Sequence, residues 1–91
     1  MKYRRKSGVV EAVQYVNGKK GIADVLRFCP QAGLFPPRGH EPSYPFFRIK
    51  TLEGNMEAHV GDWIVRGIKG EYYPVKLEIF QELYERVEQQ P

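Results

Sequence analysis

A run of fourteen residues at positions 61–74 constrains the fold of this 91-residue chain more than any other segment. Its sequence is GDWIVRGIKGEYYP, in which two stretches of β-branched and aromatic residues flank Lys69-Gly70. Glycine-containing pairs of this kind mark turns, and the flanking stretches have the composition of strands. The run therefore predicts two neighbouring strands, at residues 63–67 and 71–75.

Alternation of apolar and polar side chains predicts further strands before the fourteen-residue run. Residues 9–15 and 46–52 are rich in β-branched and aromatic residues that alternate with polar ones. Residues 53–55 predict a short hairpin turn, from which residues 56–60 return as a paired strand. The strands at residues 46–52, 56–60, 63–67 and 71–75 are expected to form a four-stranded meander.

Two helices are predicted from apolar residues that recur at three- and four-residue spacing. The first begins near Lys20 and ends before Pro30, because the residue before a proline avoids the α region. The second covers residues 76–88. The apolar stripe of the first helix is Ile22, Val25, Leu26 and Cys29, and that of the second is Leu77, Phe80, Leu83, Tyr84 and Val87.

Residues 30–45 contain seven prolines and glycines and predict a long loop without a regular element. The resulting order of elements indicates an α+β domain with a small, curved, mainly antiparallel sheet of four to five strands and two helices. Closure of that sheet into a barrel would hide its edges. An open edge would instead be available to a second subunit.

Length and composition narrow the class of protein. Ninety-one residues make one domain, 1–91, in which residues 1–8 form a basic arm. The apolar and aromatic content is too high for a disordered chain, and no apolar run has the length of a membrane span or the pattern of a signal peptide. The single cysteine rules out an internal disulfide and fits a reducing cytoplasm.

The charges are distributed unevenly along the chain. Lys and Arg outnumber Asp and Glu by ten to three in residues 1–50, whereas Asp and Glu outnumber Lys and Arg by eight to four in residues 51–91. Two interpretations remain open. The basic half presents a surface for an anionic partner, or the two halves neutralise each other within the fold or between subunits.

No constellation of residues in the sequence indicates catalysis. Cys29 lies on an apolar helical stripe and is expected in the core, and Ser7 and Ser43 lack the context of a nucleophile. Asp62 and Glu71 are candidates for acid–base work, but both lie at turns, where carboxylates bond to backbone N–H groups. The residues that could ligate a metal lack the spacing of a zinc or iron site; they are Cys29, His40, His59 and Asp62. The sequence predicts a protein that is not an enzyme and uses no cofactor.

Cationic side chains indicate binding of an anion instead. Arg48 and Lys50 project from one face of a predicted strand, and Arg66 projects from another; if the two strands are neighbours, the three cations share a surface suited to phosphate. Residues of the long loop would close over it as a lid, namely Arg38, His40 and Tyr44. The alternatives are a solvated sheet face, and non-specific binding of nucleic acid by the basic residues 2–6.

A resemblance to a known family is carried by the opening YRRK at residues 3–6, VVEAVQ at residues 9–14, residues 49–54, the run at residues 61–74, and then Ile79, Phe80 and Tyr84. They resemble a family of small uncharacterised bacteriophage and prophage proteins with the core G-D-W/Y-I-V-x-G-x-x-G-E-x-Y-P. The resemblance implies a non-enzymatic accessory protein in the cytoplasm of a bacterial host. The favoured role is sequestration of a nucleotide signal of antiviral defence by a homodimer. The alternatives are inhibition of a host protein and non-specific nucleic-acid binding.

Overall fold

The computed structural model describes residues 2–5, 8–39 and 43–86. Within these ranges it contains eight strands and two helices, which confirms the predicted α+β class. The helices are α1 (Lys19–Phe28) and α2 (Leu77–Leu83). The strands are β1 (Lys2–Arg5), β2 (Gly8–Gln14), β3 (Gly33–Phe35), β4 (Phe46–Thr51), β5 (Gly54–Ala58), β6 (Trp63–Arg66), β7 (Tyr72–Val75) and β8 (Glu85–Arg86).

The strands are divided between two sheets. The five-stranded sheet has the order β7-β6-β2-β1-β8, and the three-stranded sheet has the order β3-β4-β5. The pairings among the described strands are antiparallel, as predicted. Over the same residues neither sheet closes into a barrel. The predicted meander is wrong at its middle step, because β6 pairs with β2 and β7, whereas β5 pairs with β4.

The turn between β5 and β6 explains why the chain changes sheets. The Tyr15 N–H donates to the Asp62 carbonyl at 2.9 Å, and the Gly61 N–H donates to the Tyr15 carbonyl at 2.8 Å. Gly61 has a φ of +98°, which favours glycine because it has no Cβ. These bonds extend the pairing of β2 with β6 beyond the strand ends. They direct the chain away from its sequence neighbour β5.

The five-stranded sheet contributes buried side chains to an apolar core on each of its two faces. Successive side chains of a strand point to opposite faces, so adjacent residues of β6 serve different cores. Val65 packs with Phe80 beneath α2. Ile64 packs with Val25 of α1 and with Phe47 of the three-stranded sheet. Both Ile64 and Val65 are fully buried. The domain therefore consists of one central sheet between two apolar cores.

Helix α1 confirms most of the predicted apolar stripe. Val25 and Cys29 are fully buried and Ile22 is partly buried, whereas Leu26 is 37% exposed. The helix ends at Phe28, two residues before the proline that was expected to stop it.

Helix α2 is shorter than the predicted helix at residues 76–88. It ends at Leu83, after which Tyr84 adopts an extended backbone and β8 pairs with β1. The chain thereby adds a strand to an edge of the five-stranded sheet instead of a further helical turn. Glu82 and Arg86 therefore do not lie on one helix, although they are four residues apart, because Arg86 belongs to β8. Neither of the described helices combines the length and the apolar composition needed to cross a membrane.

Aromatic rings join α2 to the five-stranded sheet. Phe80 is 3% exposed and stacks on Trp63 with ring centroids 4.1 Å apart, while Tyr84 stacks on Phe80 at 4.7 Å. The predicted burial of Phe80 and Tyr84, with Trp63 beside them, is confirmed. The predicted burial of Leu83 is wrong, since its exposure is 43%. Val87, the last member of the predicted stripe, lies outside the described residues.

The predicted loop at residues 30–45 contains a strand. Strand β3 lies between Pro30 and Pro36 and pairs with β4. Proline disrupts a sheet by removing a backbone donor, and the five residues between these two prolines include none. These five residues can therefore form a short edge strand. Residues 40–42 of the same segment lie outside the described residues.

The basic arm predicted at residues 1–8 is also partly strand. Lys2–Arg5 form β1, in which Lys2 lies opposite Glu11 of β2. Over these residues the arm is therefore not a free extension of the domain. Lys6 and Ser7 are outside the described part of the chain.

Candidate ligand-binding face

One face of the three-stranded sheet is directed away from the core. Along β4, Phe47 and Ile49 are fully buried, whereas Arg48 and Lys50 are exposed, as the alternation predicted. Cross-strand partners share a face of an antiparallel sheet. The register of β3, β4 and β5 therefore defines an outer face, made of Phe35, Phe46, Arg48, Lys50, Asn55 and Glu57.

A row of rings crosses this outer face. Phe35 stacks on Phe46 with centroids 5.5 Å apart and planes at 16°, and Phe46 stacks on His59 at 5.4 Å and 22°. The guanidinium carbon of Arg48 lies 4.4 Å from the centre of the Phe35 ring, and that of Arg38 lies 4.1 Å from the centre of the Phe46 ring. Cations are attracted to the negative face of an aromatic ring. The row therefore holds two guanidinium groups on one surface.

Glu57 is the acidic member of the outer face. Arg38 Nη2 donates to Glu57 Oε2 at 2.6 Å, and His59 Nε2 lies 3.1 Å from Glu57 Oε1. The hydrogen bond from Arg38 lowers the pKa of Glu57, partial desolvation opposes this effect, and His59 adds to the lowering. These side chains are all partly exposed, so the ion pairs contribute little to stability. Their main effect is to hold Arg38 against the sheet.

A surface shared by Arg48, Lys50 and Arg66 was expected if their two strands were neighbours. The two strands are not neighbours. Arg66 lies on β6 of the five-stranded sheet, whereas β4 belongs to the three-stranded sheet. Arg66 Nη1 is 3.8 Å from Glu11 Oε1, and both residues line a groove of about 350 Å³ together with Lys2. The cross-strand order places Glu11 between Lys2 and Arg66, so this groove carries an alternating row of charges.

The three predicted lid residues have different positions. Arg38 reaches the outer face through Phe46 and Glu57, so the structure brings it beside Arg48. Tyr44 is 44% exposed and lies two residues before β4. His40 lies outside the described residues, and its predicted role stays a prediction.

The two carboxylates at tight turns have structural partners. Asp62 is 5% exposed and accepts a hydrogen bond from the His59 N–H at 2.8 Å, which confirms its predicted role in the turn. Lys76 Nζ is 3.1 Å from the same carboxylate. Glu71 Oε1 accepts a hydrogen bond from the Lys69 N–H at 3.0 Å. Both carboxylates of the fourteen-residue run thus stabilise the turns that begin and divide it.

The described residues form no metal-binding group, and their one cysteine is buried. No group of three His, Cys, Asp or Glu side chains among them is placed to hold a metal ion. The predicted core position of Cys29 is confirmed, since its side chain is fully buried. Burial raises the pKa of the Cys29 thiol, which disfavours the reactive thiolate.

Several residues of the outer face were not found from the sequence. Phe46 shares the two-residue spacing of Arg48 and Lys50, and this spacing is a signal that could have placed it on the same face. Phe35 could not be placed without β3. The contact of Glu57 with Arg38 joins residues nineteen positions apart and depends on how the loop folds back.

Comparison of the chain with protein-family models, with curated proteins and with solved structures finds no match. The resemblance to small phage proteins therefore stays a prediction.

Proposed function

We propose that the outer face of the three-stranded sheet binds a small anionic ligand that carries a planar aromatic group, and that it does so without altering the ligand chemically. The observation that carries the proposal is the gathering of Arg38, Arg48 and Lys50 on one face, on which Glu57 is the only carboxylate among the described residues. A row of rings lies beside these cations. Nucleotides combine the two chemistries that this face offers, since they have anionic phosphates and a flat base.

Each group of the outer face has a role in this proposal. Arg48 and Lys50 bind phosphate oxygens, and the guanidinium planes provide surfaces on which a base stacks. Arg38 donates a hydrogen bond to Glu57, so a phosphate would compete with that carboxylate for the same donors. Tyr44 completes the site from the loop, and His40, which lies outside the described residues, is assigned to the lid by the sequence alone. Arg66 belongs to the other sheet and has no role in this site.

The biological role that we attach to this binding follows the resemblance of the sequence. In it, the protein is a phage accessory protein in the host cytoplasm that sequesters a nucleotide signal of antiviral defence. It needs no cofactor, because a sequestering protein only has to hold its ligand. Inhibition of a host protein and non-specific nucleic-acid binding are the rival roles, and the experiment below distinguishes nucleotide binding from nucleic-acid binding.

Binding is tested by thermal denaturation with linear and cyclic nucleotides, followed by titration calorimetry of those that raise the melting temperature. A ligand that binds only the folded state adds about 2.7 kcal/mol to the free energy of unfolding at a hundred times its dissociation constant. Arg48→Ala or Lys50→Ala should remove a charged hydrogen bond worth about 1.5–3 kcal/mol and weaken binding roughly ten- to hundred-fold. Both side chains are exposed, so both variants should fold.

Arg66→Ala is the matched control, since Arg66 is an exposed arginine on a strand of the other sheet. It should leave nucleotide affinity unchanged. A loss of affinity in Arg66→Ala equal to that in Arg48→Ala would show that the outer face is not the site. A panel in which no nucleotide shifts the melt would contradict the proposal. Binding of nucleic acid that is lost when Lys2 is changed, but not when Arg48 is changed, would support the nucleic-acid role instead.

The proposal also includes a homodimer. Strands β3, β5, β7 and β8 are terminal in their sheets over the described residues, so each has an edge on which a further strand can pair. A small domain gains stability when such edges are covered by self-association. Light scattering at micromolar concentration should give twice the 10.6 kDa mass of the chain. A monomeric mass at both low and high salt would contradict the dimer.

A further inference from the structure

A second groove lies where the two sheets meet, between the β4–β5 hairpin and β7. Its volume is about 440 Å³, which is in the range of pockets that bind ligands. The apolar part of its lining comes from Leu52 and Met56 on the hairpin and from Tyr72 and Pro74 on β7. It is separate from the outer face, because Met56 pairs with Ile49 and therefore lies on the opposite side of the three-stranded sheet from Arg48.

The hairpin wall of this groove exposes apolar side chains. Leu52 is 81% exposed and Met56 is 43% exposed. The Leu52 turn itself is firmly held, since Thr51 Oγ1 accepts a hydrogen bond from the Glu53 N–H at 3.1 Å and donates one to the Gly54 carbonyl at 2.6 Å. Apolar side chains presented by a fixed turn beside a groove are typical of a docking surface. Methionine adapts its shape to different partners.

The β7 wall is fixed in the same way. The Tyr72 hydroxyl donates to the Phe28 carbonyl at 3.0 Å, which holds the ring in place. Hydrogen-bonded and non-hydrogen-bonded residue pairs alternate along two antiparallel strands. The bond from the Gly67 N–H to the Glu71 carbonyl therefore directs the backbone of Tyr72 away from β6. A strand that added to β7 would meet the N–H and carbonyl of Tyr72 and the carbonyl of Pro74, which has no N–H to donate.

The charge of the groove is opposite to that of the outer face. Its charged lining residues, among those that the structure describes, are Glu53 and Glu71, without a Lys, Arg or His. Glu53 lies on the exposed hairpin turn. A cationic side chain of a partner would therefore be attracted here, whereas an anionic ligand would be repelled.

We propose that this groove docks an extended peptide segment of a partner protein, in which an apolar side chain lies next to a Lys or Arg. The apolar side chain packs against Leu52 and Met56, the cation pairs with Glu53, and the backbone pairs with the edge of β7 by strand addition. The proposal does not depend on nucleotide binding, because it uses residues of a different surface.

The experiment selects a displayed library of random peptides against the immobilised full chain and measures the selected sequences by fluorescence anisotropy. The selected peptides should share a basic residue beside an apolar one. Leu52→Ser should weaken their binding by tenfold or more. Glu53→Gln should also weaken their binding at low salt, and its difference from the unaltered protein should disappear at high salt. Both residues are exposed, and unchanged melting temperatures would show that both variants are folded. Arg48→Ala is the control and should bind the peptides as the unaltered protein does.

Three results would overturn the proposal. The first is a selection that yields no binder. The second is a set of binders without basic residues, or with equal affinity for Leu52→Ser. The third is a change of oligomeric state caused by Leu52→Ser, which would assign the groove to a second copy of this chain.

Discussion

Replacing Phe80 with alanine should remove a large share of the protein's free energy of unfolding. The ring is 3% exposed and has aromatic neighbours on several sides: Trp63, Tyr84 and, edge-on at 5.0 Å, Tyr3. Truncation of a buried phenylalanine costs about 3–5 kcal/mol, because it removes buried apolar area and leaves a cavity. The free energy of unfolding of a small domain is itself about 5–15 kcal/mol. Urea denaturation followed by the fluorescence of Trp63, the only tryptophan, measures the loss.

Two variants on the same helix provide controls for Phe80→Ala. Ile79 is 49% exposed and Leu83 is 43% exposed, so Ile79→Ala and Leu83→Ala remove apolar groups that are only partly buried. Each should cost much less than Phe80→Ala. Equal losses in all three variants would show that α2 does not pack through Phe80.

Gly21→Ala should destabilise the protein although it improves the helix propensity of α1. An alanine in a helix interior is normally more favourable than glycine by about 1 kcal/mol. Here the added Cβ would overlap the backbone carbonyl of Val16, which no side-chain rotation can relieve. The start of α1 would have to move away from the chain that leaves β2. We expect a loss of about 3 kcal/mol in the free energy of unfolding, at the upper end for an overpacked site.

Ala23→Gly is the reverse change at an exposed position of the same helix, and it serves as the control. Helix propensity alone predicts opposite signs for the two variants, with a loss of about 1 kcal/mol for Ala23→Gly. The contact of Gly21 with Val16 predicts a loss in both, and the larger one in Gly21→Ala. A Gly21→Ala protein with a higher midpoint of denaturation would show that α1 is not in close contact with Val16.

The local spacing of apolar residues predicted those helices and strands that have one buried side and one exposed side. Strand β4 was recognisable because Phe47 and Ile49 alternate with Arg48 and Lys50, and α1 was recognisable because Val25 and Cys29 are four residues apart. In each case the pattern records which side is buried. The class of fold and the position of Arg48 and Lys50 on an exposed face follow from such patterns alone.

Pairing between distant segments was not encoded in any local pattern. The division into two sheets depends on bonds from Tyr15 to Gly61 and Asp62, forty-six and forty-seven positions away. The end of α2 depends on the edge that β1 offers to β8. The same limit applies to the candidate site, because Arg66 was grouped with Arg48 on the assumption that their strands were neighbours.

The central sheet has a consequence for how the domain loses its structure. Ile64 and Val65 are consecutive residues, yet each anchors a different apolar cluster. Melting either cluster must release β6, and the other cluster then loses the strand on which it rests. The stabilities of the two apolar clusters are thus coupled through β6. A partly unfolded form that keeps only one cluster is therefore only weakly stabilised by that cluster. A domain built in this way unfolds cooperatively, with its amide protons on β2 and β6 exchanging last.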